Sequence, residues 1–464
     1  MLFSGESYVS IVVMRFHAPR RKLLCSYSVW ASGIIEVTTM RERCIFISKI
    51  DSELKRNIAI IWVANFFIAG SMTMISPFIS LYIDTFGNFS ASYVQKWSGI
   101  VFSITFFAAI LFAPIWGRFG DQYGRKKILI ISATGLGLSV LLMGFATSVW
   151  HLFFLRFFMG FFTGFVAMSQ VFIAVQTPRQ IAGRVLGTVN TGSVTGTLFG
   201  PLLGGVLADL VGFAMTFKLV SIAVFATALI VLLFVREKVH EEVTEEDREE
   251  KWSHREVLAF IVKKPLLFYT MILATFVQVA HFGIQPILPL FVAELHGTAN
   301  IALLSGLAFS VTGFGNLLAS RPLGRAGDRN GYIKLMILLL ALVGLIYVPM
   351  AFATTLTAFI VLRFLLGLAL GGVDPNRLAY IRQEVPLHIQ GEVLGYNTSL
   401  RFLGNMIGPT LGGGIASLFG FSMLFTVIGV GLIASSLIFI VLVLKLEPRE
   451  LRKTRRSRRP LKAR

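Results

Sequence analysis

Charged residues make up only 14% of these 464 residues, and the only two cysteines, Cys25 and Cys44, both precede the first long apolar run. That cysteine count excludes a disulfide framework and any cysteine-built metal site in the rest of the chain. No G-x-x-x-x-G-K-[ST] loop and no H-E-x-x-H pair occurs, so neither ATP hydrolysis nor zinc chemistry is signalled. No metal, no cofactor and no enzymatic activity are expected. Acids are scarcer than bases, 24 against 43, which leaves a formal net charge of +19.

What is abundant is apolar: 55% of the chain, with 42 Phe and 43 Gly. A membrane-spanning helix needs about 20 mostly apolar residues, because a core of roughly 30 Å is crossed at about 1.5 Å per residue. Twelve such runs occur, at 57–83, 96–117, 128–148, 150–174, 183–209, 213–235, 265–292, 300–322, 333–353, 356–381, 391–417 and 421–444. They are continuous rather than short and alternating, which argues against a β-barrel. The expected fold class is an all-α membrane protein of twelve transmembrane helices.

The basic residues are placed, not spread. The segments joining spans 2 and 3, 4 and 5, 6 and 7, 8 and 9, and 10 and 11 hold nearly all the loop Lys and Arg, as do both tails. The connections near 148, 211, 355 and 418 hold none. This positive-inside pattern puts both termini in the cytoplasm. The tail at 445–464, with ten Lys or Arg, reads as an anchor on anionic lipid rather than a nucleic-acid site. Residues 1–56 form a cytoplasmic segment. Within it, Leu23 to Ile35 is too short and too polar to span and has no convincing cleavage site. Translation is expected to start near Met40, with 1–39 artefactual or disordered; the alternative is a thirteenth span.

The chain also contains itself twice. "WSGIVFSI" from Trp97 echoes "LSGLAFSV" from Leu304, and "RFFMGFFTG" from Arg156 echoes "RFLLGLALG" from Arg363. "GTLFGPLLGG" from Gly196 echoes "GNMIGPTLGG" from Gly404, and the "GF" at Gly212 recurs at Gly420. All lie at nearly constant offset. Two pseudo-symmetric six-helix bundles, 57–235 and 265–444, are therefore expected, joined by a cytoplasmic linker at 236–264. Parallel repeats of this kind place a substrate site between the halves near the midplane.

These residues resemble the major facilitator superfamily. "GRFGDQYGRKK", between spans 2 and 3, is similar to its loop signature G-x-x-x-D-R-x-G-R-[RK] through Gly117, Asp121, Gly124, Arg125 and Lys126, with Gln122 in place of the usual arginine. "GRAGDRNGYIK" from Gly324 is a degraded copy that keeps Asp328 and Arg329. Span 5 resembles the antiporter signature G-x8-G-x3-G-P-x2-G-G through Gly187, Gly196, Gly200, Pro201, Gly204 and Gly205, repeated in span 11 by Gly404, Gly408 and Pro409. Arg156 and Gly160 fit a third signature of the same exporters. Within the twelve-span drug:proton antiporters, the chain is most similar to the bacterial MdtG-like multidrug efflux branch. The resemblance implies that Asp121 meets the start of span 11, near Gly391, when the inner side closes. It implies for Asp328 the mirror contact near Gly183, and for Arg156 a part in proton coupling.

The residues carry their own reading. Gly196, Gly200 and Gly204 share one helical face and admit a close partner backbone, while Pro201 favours a kink. Spans 5 and 11 are thus expected to bend and seal the halves on the outer side. Arg156 lies inside span 4, where a charge costs about 2.5–3.5 kcal/mol on insertion scales; the bland alternative is snorkelling to the interface. Gln278, His281 and Gln285 form one polar face of span 7, on which His281 either titrates or is simply hydrogen-bonded. Asp374 and Arg377 stand one turn apart and are able to pair, which would make the aspartate structural. Asn397, Arg401 and Asn405 form a stripe on span 11 expected to face the cavity. Span 1 has no buried carboxylate, so Asp374 or His281 would have to carry a proton instead.

The expected function is secondary transport in a bacterial cytoplasmic membrane: export of small hydrophobic or amphipathic compounds in exchange for protons, by a monomer that binds lipid and no nucleic acid. The alternative on the same fold is a narrow exporter or importer of a metabolite such as a sugar. No catalytic constellation supports an enzyme, and no added soluble domain supports a sensor.

Overall fold

Four glycines with positive φ join consecutive long helices among the described residues. Gly124 (φ 94°) and Gly331 (φ 92°) each join two long helices by a single residue, as do Gly212 (φ 79°) and Gly420 (φ 82°). Positive φ is cheap only without a Cβ. The pairs stand at the repeat offset seen in the sequence, so both halves turn at equivalent places. The computed structural model describes residues 52–178, 181–237 and 252–457; the side chains of Ser76, Pro114, Gly117, Arg118, Asp121, Leu387 and 446–457 are outside that description, as are residues 1–51 and most of the linker. The described residues from Arg56 onward form one compact unit, to which the contacts below belong.

Span 1 is α1 (Ser52–Ile75), a 3-10 turn at Ser76–Phe78, and α2 (Ile79–Asp84). Spans 2 and 3 are α3 (Ala91–Tyr123) and α4 (Arg125–Met143). Span 4 is α5 (Val149–Phe161) followed by α6 (Phe165–Gln176). Spans 5 and 6 are α7 (Ala182–Val211) and α8 (Phe213–Phe234). A linker helix, α9 (His254–Lys263), precedes span 7, which is α10 (Pro265–Ile284) and α11 (Leu288–His296). Spans 8 and 9 are α12 (Ile301–Asn330) and α13 (Tyr332–Met350). Span 10 is α14 (Leu356–Leu370) and α15 (Val373–Glu384).

The last helical stretch, α16 (Leu387–Ser457), is 71 residues long and has non-helical geometry at Gly420. Its apolar part, His388–Lys445, has 58 residues, about 87 Å of helix and nearly three bilayer cores. Broken at Gly420, as spans 5 and 6 are at Gly212, it supplies spans 11 and 12. The eleven membrane-compatible stretches among the described residues, the last long enough for two, are thus compatible with twelve crossings.

Two features differ from the sequence expectation. The "GRFGDQYGRKK" segment is not a loop: α3 continues through Asp121 to Tyr123, and only Gly124 is turn. Polar residues at a membrane edge lie in water, where nothing opposes continuation of a helix. In addition, spans 1, 4, 7 and 10 are each interrupted, at Pro77 in the 3-10 turn, at 162–164, at 285–287, and at Gly371 with Gly372. Interrupted helices free backbone groups at membrane depth, which is tolerated where they line a cavity or pack within protein.

α9 begins with a capping box, in which Ser253 accepts from the Glu256 N–H at 3.3 Å and Glu256 accepts from the Ser253 N–H at 2.7 Å. Its apolar face, Val257 and Ile261, packs with Leu267, Met271, Ile381, Val385, Ile389 and Val393. The linker thus docks on the second half, where His254 Nδ1 lies 2.7 Å from Glu392.

Candidate functional site

In lipid, helices gain little by hiding apolar surface from each other, so close backbone approach decides which pairs hold. The glycine ladder does this within each half. A Cβ on Gly196 would strike the Phe66 carbonyl of span 1, and one on Gly200 or Gly204 would lie 2.5 Å from Thr73 or Met74. In the second half Gly404, Gly408 and Gly412 meet Thr275, Val279 and Gly283 of span 7 in the same way. The ladder is therefore the span 1–5 and span 7–11 joint. Gly187, the first glycine of the motif, has nothing within 4 Å.

Contact between halves falls to a second set of glycines at the ends remote from the basic loops. Gly306 of span 8 lies against the Pro201 carbonyl, and Gly99 of span 2 against the Pro409 carbonyl. Gly205 meets Ala302 and Leu303, and Gly413 meets Gln95 and Gly99. Hydrogen bonds reinforce the seam: Thr410 donates to Ser103 Oγ at 2.8 Å, Ser92 to the Ser417 carbonyl at 3.1 Å, and the Asp209 carboxylate accepts from the Ala302 and Leu303 N–H groups at 3.2 and 2.8 Å. Asp209 escaped the sequence reading because its partners are main-chain atoms; its only signal was an acid near the end of an apolar span.

Below this seam lies a cavity of about 720 Å³ lined from both halves, including Met72, Phe102, Phe106 and Arg156 from the first and His281, Phe282, Gln285, Asn316 and Arg401 from the second. Three rings meet across it: Phe282 lies 6.1 Å from Phe102 and 5.4 Å from Phe106. Arg156 is 3% exposed, so it does not snorkel. Its guanidinium lies 6.0 Å from the centre of the Phe102 ring, and Nη2 finds no hydrogen-bond partner among the described residues. Its repeat mate Arg363, 1% exposed, instead donates from Nε to the Ala308 carbonyl at 3.1 Å. His281 faces the cavity with Nδ1 without a partner.

Asp374 pairs as its spacing allowed, 2.7 Å from Arg377, and also stands 3.2 Å from Arg401 of span 11. With its amide oriented to satisfy both sides, Gln278 accepts from Arg401 Nε and Nη2 at 3.0 Å. Of the span 11 stripe only Arg401 lines the cavity; Asn397 and Asn405 are buried beside it. Residues four apart drift about 40° around a helix of 3.6 residues per turn, so the stripe wraps away and the long arginine alone reaches the opening. Gln278 and Arg377 are likewise off the lining, held in this network.

At the basic end the halves are apart in this conformation. Positions above Gly183 and Gly391 have nothing within 4 Å, and exposed Asp328 accepts from the Tyr332 hydroxyl at 2.8 Å in its own half. Arg329 is exposed. In the first half the start of α4 is held by Glu237, which accepts from the Arg125 N–H at 2.8 Å and the Lys126 N–H at 3.1 Å. This carboxylate lies 3.1 Å from where a Gly124 Cβ would stand, close enough that a flexible Glu237 would have to give slightly, while the φ of 94° itself favours glycine.

A seam at one end, a cavity at the middle and a gap at the other is the geometry of an alternating-access carrier. Residues 61–319 and 302–463 match the family model of the Major Facilitator Superfamily. The chain belongs to that superfamily. It is a multi-pass membrane transporter, not an enzyme. It is 49% identical over 366 residues to the uncharacterized MFS-type transporter YuxJ of Bacillus subtilis, covering 79% of this chain and 93% of that protein. It is 36% identical over 374 residues to the multidrug resistance protein MdtG of Salmonella typhi, covering 80% of this chain and 92% of that protein. Among solved structures, a bacterial homolog of the human lysosomal transporter Spinster, inward-facing and occupied, aligns with a TM-score of 0.72 at 15% identity over 84% of this chain and 97% of that one. The nucleoside transporter NupG aligns at 0.67 and 14% over 84% and 98%. At such identities these structures speak for the fold alone.

Proposed function

We propose that this transporter exports small hydrophobic or amphipathic compounds from the bacterial cytoplasm in exchange for protons, as a monomer in the cytoplasmic membrane with both termini inside. The observation that carries this is the cavity of about 720 Å³, within the roughly 300–1,000 Å³ of drug-sized sites, walled by Phe102, Phe106 and Phe282 from both halves. Adaptable Met72 and Met159 line it too, which favours several ligands over one. The similarity to MdtG proteins supports efflux and a contribution to antibiotic resistance. On this reading the seamed end is the outer one and the basic end is cytoplasmic, so the conformation is inward-open.

Proton coupling falls to Asp374, Arg156 and His281. Among the described residues, the other acids on the spanning helices, Glu53, Asp84, Asp121, Asp209, Glu294, Asp328, Glu384, Glu392, Glu447 and Glu450, lie near the ends of the spans, whereas Asp374 lies inside span 10. A second reading, a narrow metabolite carrier, draws on the polar lining of Gln285, Asn316 and Arg401. The deciding experiment is dye and drug transport in inverted vesicles under an imposed pH gradient. Accumulation that collapses with the gradient is expected; accumulation indifferent to it sinks the antiport claim.

A further inference from the structure

The charges inside the membrane are unbalanced. Among the described residues, four arginines, Arg156, Arg363, Arg377 and Arg401, stand in the interior of spans 4, 10 and 11, against one acid, Asp374. That acid is already shared by Arg377 and Arg401. Arg363 donates from Nε to the Ala308 carbonyl and leaves Nη1 without a partner among the described residues, but it does not line the cavity. Arg156 has neither a carboxylate nor a carbonyl on Nη2, yet it is buried and lines the cavity.

A buried guanidinium without a partner is costly, by several kcal/mol of desolvation unless a counter-charge or acceptors replace the lost water. The three-ring cluster of Phe102, Phe106 and Phe282 beside it supplies no acceptor beyond the face of Phe102. The lining holds two further basic groups, Arg401 and His281, the latter with Nδ1 unpartnered among the described residues, and no Asp or Glu. A cation entering would meet Arg156 and Arg401 with no carboxylate in the lining. A planar or tetrahedral oxyanion would satisfy the fork of donors that arginine presents.

We infer that the cavity takes amphipathic organic anions, the acidic head on the Arg156 guanidinium and the apolar body on Phe102, Phe106 and Phe282. The inference rests on the cavity being the transport site and narrows its substrate class. Arg156 is then a specificity determinant, and the uncharged polar groups Gln285 and Asn316 leave room for variation in the rest of the ligand.

The test is equilibrium dialysis of two probes with matched bodies and opposite charge, 1-pyrenebutyrate and its trimethylammonium counterpart, against the full chain in nanodiscs of uncharged lipid, with empty nanodiscs subtracted. The anion is expected to bind at least about ten-fold more tightly than the cation, about 1.4 kcal/mol. Arg156→Gln should weaken the anion by about ten-fold and leave the cation unchanged or tighter, while Arg156→Lys, which keeps the charge but not the planar fork, should weaken the anion less than Arg156→Gln and keep the preference for it. Equal affinities, preference for the cation, no binding of either probe, or a parallel loss of both in a well-folded Arg156→Gln protein each overturns the inference. Should Arg156→Gln fail to fold, the wild-type preference and Arg156→Lys decide alone: absence of the preference, or its loss in the lysine variant, overturns the inference, and its presence with retention supports it. Gradient-driven dye efflux that persists without an anion preference leaves the exporter reading standing and removes only this one. Anion binding without any efflux does the reverse.

Discussion

The carboxylate of Asp209, at the end of span 5, accepts a hydrogen bond of 2.8 Å from the Leu303 N–H in the first turn of span 8, so an acid of one half caps a helix of the other. The repeat mate of Asp209 is Ser417, whose carbonyl accepts from Ser92. The seam is thus charged on one side and neutral on the other. Capping contacts are worth about 0.5–2 kcal/mol. Asp209→Ala should shift the population away from the seamed state by about two- to thirty-fold. Spin-label distances across spans 5 and 8 report it; distributions identical to wild type would show that the glycine contacts alone hold the seam.

Gly99 and Gly306 are expected to tolerate no side chain. Each faces a proline carbonyl of the opposite half, and forcing a methyl group into such a contact costs about 1–3 kcal/mol. Gly306→Ala should reduce transport by about ten-fold at normal expression, with labelling of a cysteine placed at Ala69 from the seamed side increased. Unimpaired transport would mean that the seam never has to close this tightly.

Asp374→Asn removes the one acid from a cluster of two arginines, of which Arg377 is 2% exposed. Breaking a fully buried pair costs about 3–5 kcal/mol, and because Asp374 itself is 44% exposed the expected loss is nearer 2 kcal/mol. The midpoint of thermal unfolding in detergent should fall by several degrees, with Asp374→Glu recovering part of it. A neutral result in Asp374→Asn would show that the Asp374–Arg377 pair adds nothing to stability.

Asp121→Asn is expected to impair transport by about ten-fold while membrane insertion stays intact, with Asp328→Asn milder. Asp328 already has a local partner in Tyr332. Equal and negligible effects of the two would reduce both segments to topology signals.

Glu237→Gln should loosen the first turn of span 3 by about 1 kcal/mol, seen as faster amide exchange at Arg125 and Lys126. Exchange unchanged at those two amides would assign the turn to Gly124 alone.

Much of this architecture was legible in the residues because its causes are local. Hydropathy over about 20 residues defines a crossing, basic residues mark one side, and a glycine at a fixed offset marks a turn. The repeat offset likewise places Gly306 opposite Gly99. The Asp374–Arg377 pair was readable as well, since a helix puts i and i+3 on one face.

What the tertiary structure decided are relations between helices distant in the chain. Span 10 had to meet span 11 before Arg401 could share Asp374, and span 5 had to meet span 8 before Asp209 could cap it. Arg156 and Arg363 look equivalent in sequence, yet one ends at a carbonyl and the other at an open cavity. A side chain's worth in a membrane depends on which partner lies within about 3 Å, and helical periodicity specifies the face of a helix, not the neighbour that covers it.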